Sequence, residues 1–186
     1  MNAGAELFRR NGYTGTGLKQ IVAEANAPFG SLYHFFPGGK EQLGEEVIRT
    51  SGMQYIQIID IFLTPDRTLL EGLEACFAGA AVTLRETDYA DACPIATVAL
   101  EVASTNEALR IATADVFTAW TAAGIQRFQR YGLSEDAART LTITYVTSLE
   151  GAFILCRALR NTEALAVAGA AVVDVARRLL TETGLL

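Results

Sequence analysis

One histidine, one tryptophan, three cysteines and four prolines occur in 186 residues. Each scarcity excludes something. With His34 as the single histidine, a multi-histidine metal site is impossible, and no metal or cofactor is expected. Cys76, Cys93 and Cys156 are odd in number and far apart. Disulfide frameworks of small secreted domains use even, closely spaced sets, so these three are expected as buried small apolar side chains. The prolines and the 16 glycines are too few for a collagen-like or linker-rich chain. The longest stretch without Asp, Glu, Lys or Arg is Ala25–Gly39, and it contains His34, two prolines and three glycines. A bilayer span needs about 20 mostly apolar residues, so no membrane segment is expected. The first ten residues lack a basic segment followed by an apolar one, so no secretory leader is expected, and a soluble cytoplasmic protein is. Acid–base pairs, nucleophile–base pairs and metal-ligand clusters do not stand out in any segment, which argues against an enzyme.

What is present is a large apolar fraction. Hydrophobic residues make up 51% and charged residues 19%, enough for a real core and unlike a disordered chain. The net charge of −6 is uneven: up to Lys40, the bases Arg9, Arg10, Lys19 and Lys40 face only Glu6 and Glu24, a net +2, and the remainder carries −8. A mildly basic N-terminal part on an acidic body fits a small nucleic-acid-binding module.

Helical periodicity dominates. Leu43, Val47, Ile48, Ser51, Tyr55, Ile58, Ile59 and Phe62 recur at steps of three and four, as do Leu69, Leu73, Cys76, Phe77, Ala80, Ala81 and Leu84. A polar loop around Thr87–Asp91 follows. Further helices are predicted over about 94–103, 106–131, 134–159 and 162–183, with Ser134 as a cap and Gly132 as a stop. The N-terminal helices are shorter, about 2–11, 17–25 and 28–35. Leu7, Phe8, Leu18, Ile21, Val22, Leu32 and Phe36 suffice for a miniature core, with Phe35 expected to pack among them. Asn26 suits a left-handed turn and Pro28 a helix start. The expected fold is all-α, with no strand pattern, no internal repeat and two short helices in helix-turn-helix outline.

Thr16, Ile21 with Val22, Gly30, Leu32, Tyr33, Phe36, Lys40, Glu41 and Leu43 fall in the order and spacing of a family motif. The first quarter of the chain resembles the DNA-binding domain of TetR-family transcriptional repressors. That resemblance implies a helix-turn-helix domain over residues 1–44 and an all-α effector-binding and dimerisation domain over 45–186. The segment Cys93–Ala96 and the loop Pro37–Lys40 resemble the branch of lincomycin-resistance-type repressors. Asn26 departs from a commoner glycine, Phe29 from a polar residue, and Gly38–Gly39 lengthens the loop by one. The first helix is expected almost from Met1, so either the basic arm that often precedes it lies outside this sequence or minor-groove contact is weak.

The residues support the same reading. Tyr33 and His34 offer hydrogen-bonding atoms and Lys40 a cation for phosphate oxygens, Lys40 at a helix start where backbone amides favour an anion. Thr16 is expected to cap the second helix and present its hydroxyl, beside Lys19 and Pro28. Gly30 lets the recognition helix approach the groove closely, leaving Phe29 and Ser31 for base edges. No Arg or Lys lies in this helix, so it has no means of bidentate guanine reading, and specificity leans on shape and apolar contact.

In the later helices, small residues and an apolar seam suggest a helix interface between two copies. Gly151, Ile154, Leu165, Ala168, Val172, Val175 and Leu179 are its candidates. Aromatic and hydroxyl residues on apolar stretches suggest a pocket for a small hydrophobic or aromatic effector: Phe77, Cys93, Phe117, Trp120, Thr121, Tyr145, Ser148 and Phe153. Its mouth is expected near Thr87–Cys93. Glu101 and Glu150 read as arginine partners or exposed acids, with a cationic ligand as the alternative. Together these imply a homodimeric, ligand-responsive repressor on a palindromic duplex operator. The competing reading is a helical small-molecule-binding or enzymatic domain with a vestigial DNA-binding part.

Overall fold

Side-chain caps mark the starts of three of the later helices. Thr68 and Glu71 form a reciprocal capping box: the Thr68 hydroxyl accepts the Glu71 amide at 3.3 Å, and the Glu71 carboxylate accepts the Thr68 amide at 2.9 Å. Ser134 accepts the Ala137 amide at 3.3 Å, and the Cys93 sulfur accepts the Ala96 amide at 3.4 Å, with Pro94 opening the helix. The computed structural model describes residues 1–90 and 92–186. Both the predicted polar loop and the predicted pocket mouth include Asp91, which lies outside the described residues. Among the described residues the chain is helical and has no strand. The helices are α1 (Asn2–Asn11), α2 (Leu18–Glu24), α3 (Phe29–Phe35), α4 (Gly39–Ile58), α5 (Leu69–Glu86), α6 (Pro94–Val102), α7 (Glu107–Gln129), α8 (Glu135–Leu159) and α9 (Glu163–Glu182). A short 3-10 turn, Ile59–Ile61, follows α4, where the sequence pattern suggests an uninterrupted helix.

The chain divides into two compact units. The first comprises Met1–Tyr55 and Ala92–Thr118, the second Ile56–Asp91 and Ala119–Leu186. This cut follows packing; a cut at residue 44 follows the motif.

In the first unit α1 packs on α2 and on α6. Leu7, Phe8, Ile21, Val22 and Leu32 are buried, as are Leu43, Val47 and Ile48 from α4 and Ile95, Val98 and Leu109 from α6 and α7. Leu18 and Phe36 are half-buried. Phe35 is a correction: it is 67% exposed and does not join the core. It is the last residue of α3, about 60° round the axis from Leu32 on the side away from Phe36. Arg49 pairs with Asp115 at 2.5 Å within this unit.

In the second unit α9 packs on both α5 and α8. Leu73, Phe128, Leu141, Leu165, Val172 and Ala176 are fully buried there. At Gly169 a Cβ would lie 2.8 Å from the Phe77 side chain, so only hydrogen lets α9 sit this close to α5. The Arg127 guanidinium clamps Asp60 with two hydrogen bonds of 2.6 Å. Those bonds hold the Asp60 carboxyl below its ordinary value.

Candidate functional site

The site is built on α2, the turn after it, and α3. Asn26 adopts φ 49°, the left-handed conformation the sequence suggests for this turn. The Ala27 amide donates to the Val22 carbonyl at 2.9 Å, closing α2. Pro28 then takes an extended backbone and starts α3. Only Leu32 of α3 is buried.

Five of the other six residues of α3 are exposed. Phe29 is 42% and Tyr33 51% exposed, and their rings meet edge to face at 5.9 Å. His34 is exposed and stands edge-on to Phe35 at 5.1 Å. A Cβ added to Gly30 would meet nothing within 4 Å, so this turn of the helix is bare. Lys19 of α2 and Pro28, which precedes α3, are both exposed. Ser31 is half-buried, and its hydroxyl donates to the Pro28 carbonyl at 2.6 Å.

Thr16 departs from the expectation. Its side chain is buried at 1% exposure, and its hydroxyl reaches the Gly12 carbonyl at 2.7 Å and the Leu7 carbonyl at 3.2 Å. The N-terminal flank of α2 is Gly17, without a side-chain cap. Thr16 therefore ties the α1–α2 loop to the end of α1, and its hydroxyl is not presented outward. The shorter of the two bonds goes to Gly12, whose carbonyl lies just past α1 and outside its hydrogen-bond ladder, which is why a hydroxyl turns inward to meet it.

Lys40 lies at the start of α4, its ammonium 4.3 Å from the centre of the Tyr13 ring. Partial burial lowers its pKa, and the Glu101 carboxylate opposes that shift. Burial, then Glu41, raises the Tyr13 phenol. Glu101 from α6 is neither an arginine partner nor simply exposed: it accepts the Thr14 amide at 2.8 Å. Gly12 has φ 73°, and a Cβ there would run into the Glu101 carboxylate. Asn106, just before α7, donates to Glu41 at 2.5 Å. Sequence reasoning missed these ties because they join residues 65 to 87 positions apart. The glycine at a left-handed position was the only local sign.

The predicted pocket residues fall in both units. Cys93 and Phe117 belong to the first, where the Cys93 sulfur caps α6. Phe77, Trp120, Thr121, Tyr145, Ser148 and Phe153 belong to the second. Phe77 is buried and meets Tyr145 edge to face at 5.7 Å; Tyr145 and Phe153 pack on the same core, half-buried. Burial, together with neighbouring Cys76, pushes the Tyr145 phenol well above its usual range. Burial pushes the Cys76 thiol up to about 11, the hydrogen bond with Tyr145 opposing it.

The predicted seam between copies needs a correction. Leu165 and Val172 are fully buried within the chain and offer no surface to a partner. Ala168, Val175 and Leu179 are half-buried and pack on the second unit's core. Gly151 and Ile154 are exposed, with nothing within 4 Å of a Cβ at Gly151. The exposed apolar surface on these helices is instead Ile143, Ile154, Leu155 and Leu159 of α8 and Val167 of α9. The near-heptad spacing marks α9's inward stripe, because that stripe already has α5 and α8 to meet.

Residues 1–47 match the family model described as bacterial regulatory proteins of the tetR family. Residues 70–171 match the C-terminal domain of LmrA/YxaF-like transcriptional regulators. The chain is 29% identical over 178 residues to the HTH-type transcriptional regulator LmrA of Bacillus subtilis (strain 168), covering 96% of this chain and 95% of that protein. It is 32% identical over 155 residues to the uncharacterized HTH-type transcriptional regulator YxaF of the same strain, covering 83% and 81%. The crystal structure of a regulatory protein TetR from Rhodobacter sphaeroides superimposes with a TM-score of 0.82 at 22% identity, over 94% of this chain and 95% of that one. The fold and the relatives are those of regulators rather than enzymes. A bare, outward α3 held by a left-handed turn, a TetR-type N-terminal part and an LmrA/YxaF-like C-terminal part together place the chain in the TetR family, as a DNA-binding transcriptional regulator.

Proposed function

We propose that the chain is a homodimeric repressor that sits on a palindromic operator and leaves it when a small hydrophobic or aromatic effector binds the helical body. The observation that carries this reading is the outward face of α3, where Phe29, Gly30, Tyr33 and His34 are exposed on a helix anchored by Leu32 alone. Residues 1–44 read the DNA. Phe29, Gly30 and Ser31 face base edges, and Lys19, Pro28, Tyr33, His34 and Lys40 lie against the backbone. A seven-residue helix spans too few base pairs to define an operator, so two copies on a dyad are needed. Residues 45–186 supply that dyad and the effector site. Gly151 and Ile154 lie on the bare apolar stripe of α8, which supports an isologous contact. Phe77, Trp120, Thr121, Tyr145, Ser148 and Phe153 supply aromatic and hydroxyl groups suited to a mainly apolar effector. No helix among the described residues is long and apolar enough to cross a membrane.

Repression and release are one equilibrium. An effector that binds one conformer better shifts the population by its differential affinity, and bound operator weakens the effector by the same factor. The test is selection of duplexes from a random library with the purified chain, followed by binding measured against a panel of aromatic compounds. A dyad-symmetric consensus, saturable quenching of Trp120 fluorescence and release of DNA over the same concentrations are expected. Failure to enrich any sequence would sink the reading at its root. Quenching without release would sink the switch.

A further inference from the structure

The loop between α1 and α2 is gripped from two other elements. Glu101 of α6 accepts the Thr14 amide at 2.8 Å, and its carboxylate fills the space that a Cβ at Gly12 would need. Between those two residues lies Tyr13, whose ring carries the Lys40 ammonium 4.3 Å from its centre. The ring itself is fixed: it meets Phe8 edge to face at 5.5 Å, and a Cβ at Gly44 would lie 2.9 Å from it. Glu41, next to Lys40 in the chain, bonds to Asn106 instead.

Lys40 is therefore half-buried, although lysine ordinarily keeps its ammonium in water. Taking an ammonium partly out of water costs free energy, and an opposite charge nearby offsets part of that cost. Glu101 is that charge: burial lowers the Lys40 pKa, and the Glu101 carboxylate acts against the shift. This resting place borders the proposed DNA face. A Cβ at Gly39 would lie 3.8 Å from the Tyr33 ring, so the start of α4 stands against α3. A phosphate that engages Lys40 must draw it from the Tyr13 ring and from Glu101. The carboxylate opposes that exchange twice, by attracting the ammonium and by repelling the phosphate.

We infer that Glu101 is a positioning residue for DNA binding: from α6 it holds the α1–α2 loop and keeps Lys40 on the Tyr13 ring, restraining backbone contact. The inference rests on the proposed contact of Lys40 with the DNA backbone and adds the group that opposes it. Lys40 then reaches DNA by exchanging one anion for another. Because phosphates carry no sequence information, the restraint acts on every duplex alike.

The experiment uses the full chain and a duplex of mixed sequence, with binding read by fluorescence anisotropy. Glu101→Gln keeps an acceptor for the Thr14 amide and deletes the charge. Its affinity is expected to rise about threefold, the factor for an exposed ion interaction. Lys40→Ala weakens binding, and in the Lys40→Ala background Glu101→Gln gains nothing. Glu101→Asp keeps the charge, withdraws it from Thr14, and gains nothing either. A purely structural Glu101 would give losses in place of the gain, and thermal unfolding checks that each variant keeps its fold. A second measurement needs no variant. In the free protein the Lys40 side-chain NMR signals are shifted by the Tyr13 ring, and saturating duplex removes that shift. The inference is overturned by an unchanged or lower affinity in Glu101→Gln, or by an equal gain with and without Lys40. A gain in Glu101→Asp as large as in Glu101→Gln overturns it, as does a Lys40 signal that stays ring-shifted on DNA. If Lys40→Ala binds as well as wild type, the underlying contact of Lys40 with the backbone fails, and the inference with it.

Discussion

Two helices of this chain are rich in apolar residues, and they use that apolarity in opposite ways. α9 turns its large aliphatic side chains Leu165, Val172, Val173 and Leu180 inward, and leaves mostly alanines and charged residues outward. α3 buries one leucine and turns Phe29, Tyr33 and Phe35 outward. α9 is 20 residues long and meets α5 and α8, while α3 is seven residues long and meets α2. Hydrophobicity alone therefore does not identify a core helix; the number of neighbours that can cover each face does. In the first case apolar surface stabilises the chain. In the second it stays free for a partner.

The contrast can be broken most forcefully at two phenylalanines. Phe77→Ala should cost about 3–5 kcal/mol of stability, the usual range for emptying a buried aromatic site. Phe35→Ala should stay within about 0.5 kcal/mol of wild type, as exposed substitutions do. Urea denaturation of both variants measures the difference, and equal losses would mean that Phe35 packs after all.

The outer surface of α8 gives the next largest effect. Gly151→Arg places its Cβ where, beyond the adjoining residues and backbone of its own helix, nothing among the described residues lies within 4 Å, so helix content should be retained. Self-association should weaken by at least about tenfold, or roughly 1.4 kcal/mol. Sedimentation over a concentration series checks this, and a variant that associates like wild type removes α8 from the interface.

At the DNA end, Lys40→Ala should lower affinity for all sequences alike and reduce the slope of log affinity against log salt by about 1. Its ammonium rests against Tyr13 rather than standing free, so some loss of packing in the α1–α2 loop should accompany it. An unchanged slope would show that Lys40 serves the fold alone.

The smallest effect belongs to a pair inside the second unit. Asp60→Asn should destabilise by no more than about 1 kcal/mol, since the Asp60 side chain is 46% exposed and solvent screens the pair. The sign with pH follows from the depressed Asp60 pKa. Its contribution is fully present above the ordinary value of 3.8 and is lost as pH falls through the lower folded value. The difference between wild type and variant should therefore be present at pH 7 and vanish at the acid end. A difference independent of pH would point to packing instead of charge.

Much of the site is legible in the sequence. The order Gly30, Leu32, Tyr33, Phe36, Lys40 and the left-handed Asn26 fall within one short segment, where local backbone chemistry decides the outcome. Thr16 escapes such reasoning because a threonine before a helix is usually a cap; here the Gly12 carbonyl, just past α1, competes for its hydroxyl and wins. Glu101 escapes it for another reason: its partner is the Thr14 amide, a backbone group that no pattern of side chains marks. Leu165, Val172, Val175 and Leu179 do form a stripe, as their spacing says, but the spacing does not say which neighbour covers it.

By itself the sequence determined where the helices are, that no strand competes with them, and which short segment carries the family motif. These follow from periodicity, caps and turn residues, all of which act over a few positions. Only the tertiary structure decided which stripe of each helix is covered. It buried Leu165 and bared Ile154, drew Thr16 inward, and bound α6 to the α1–α2 loop through Glu101. A helical repeat fixes the angles between side chains around an axis. It carries no information about which distant helix arrives at which angle, and burial depends on that arrival.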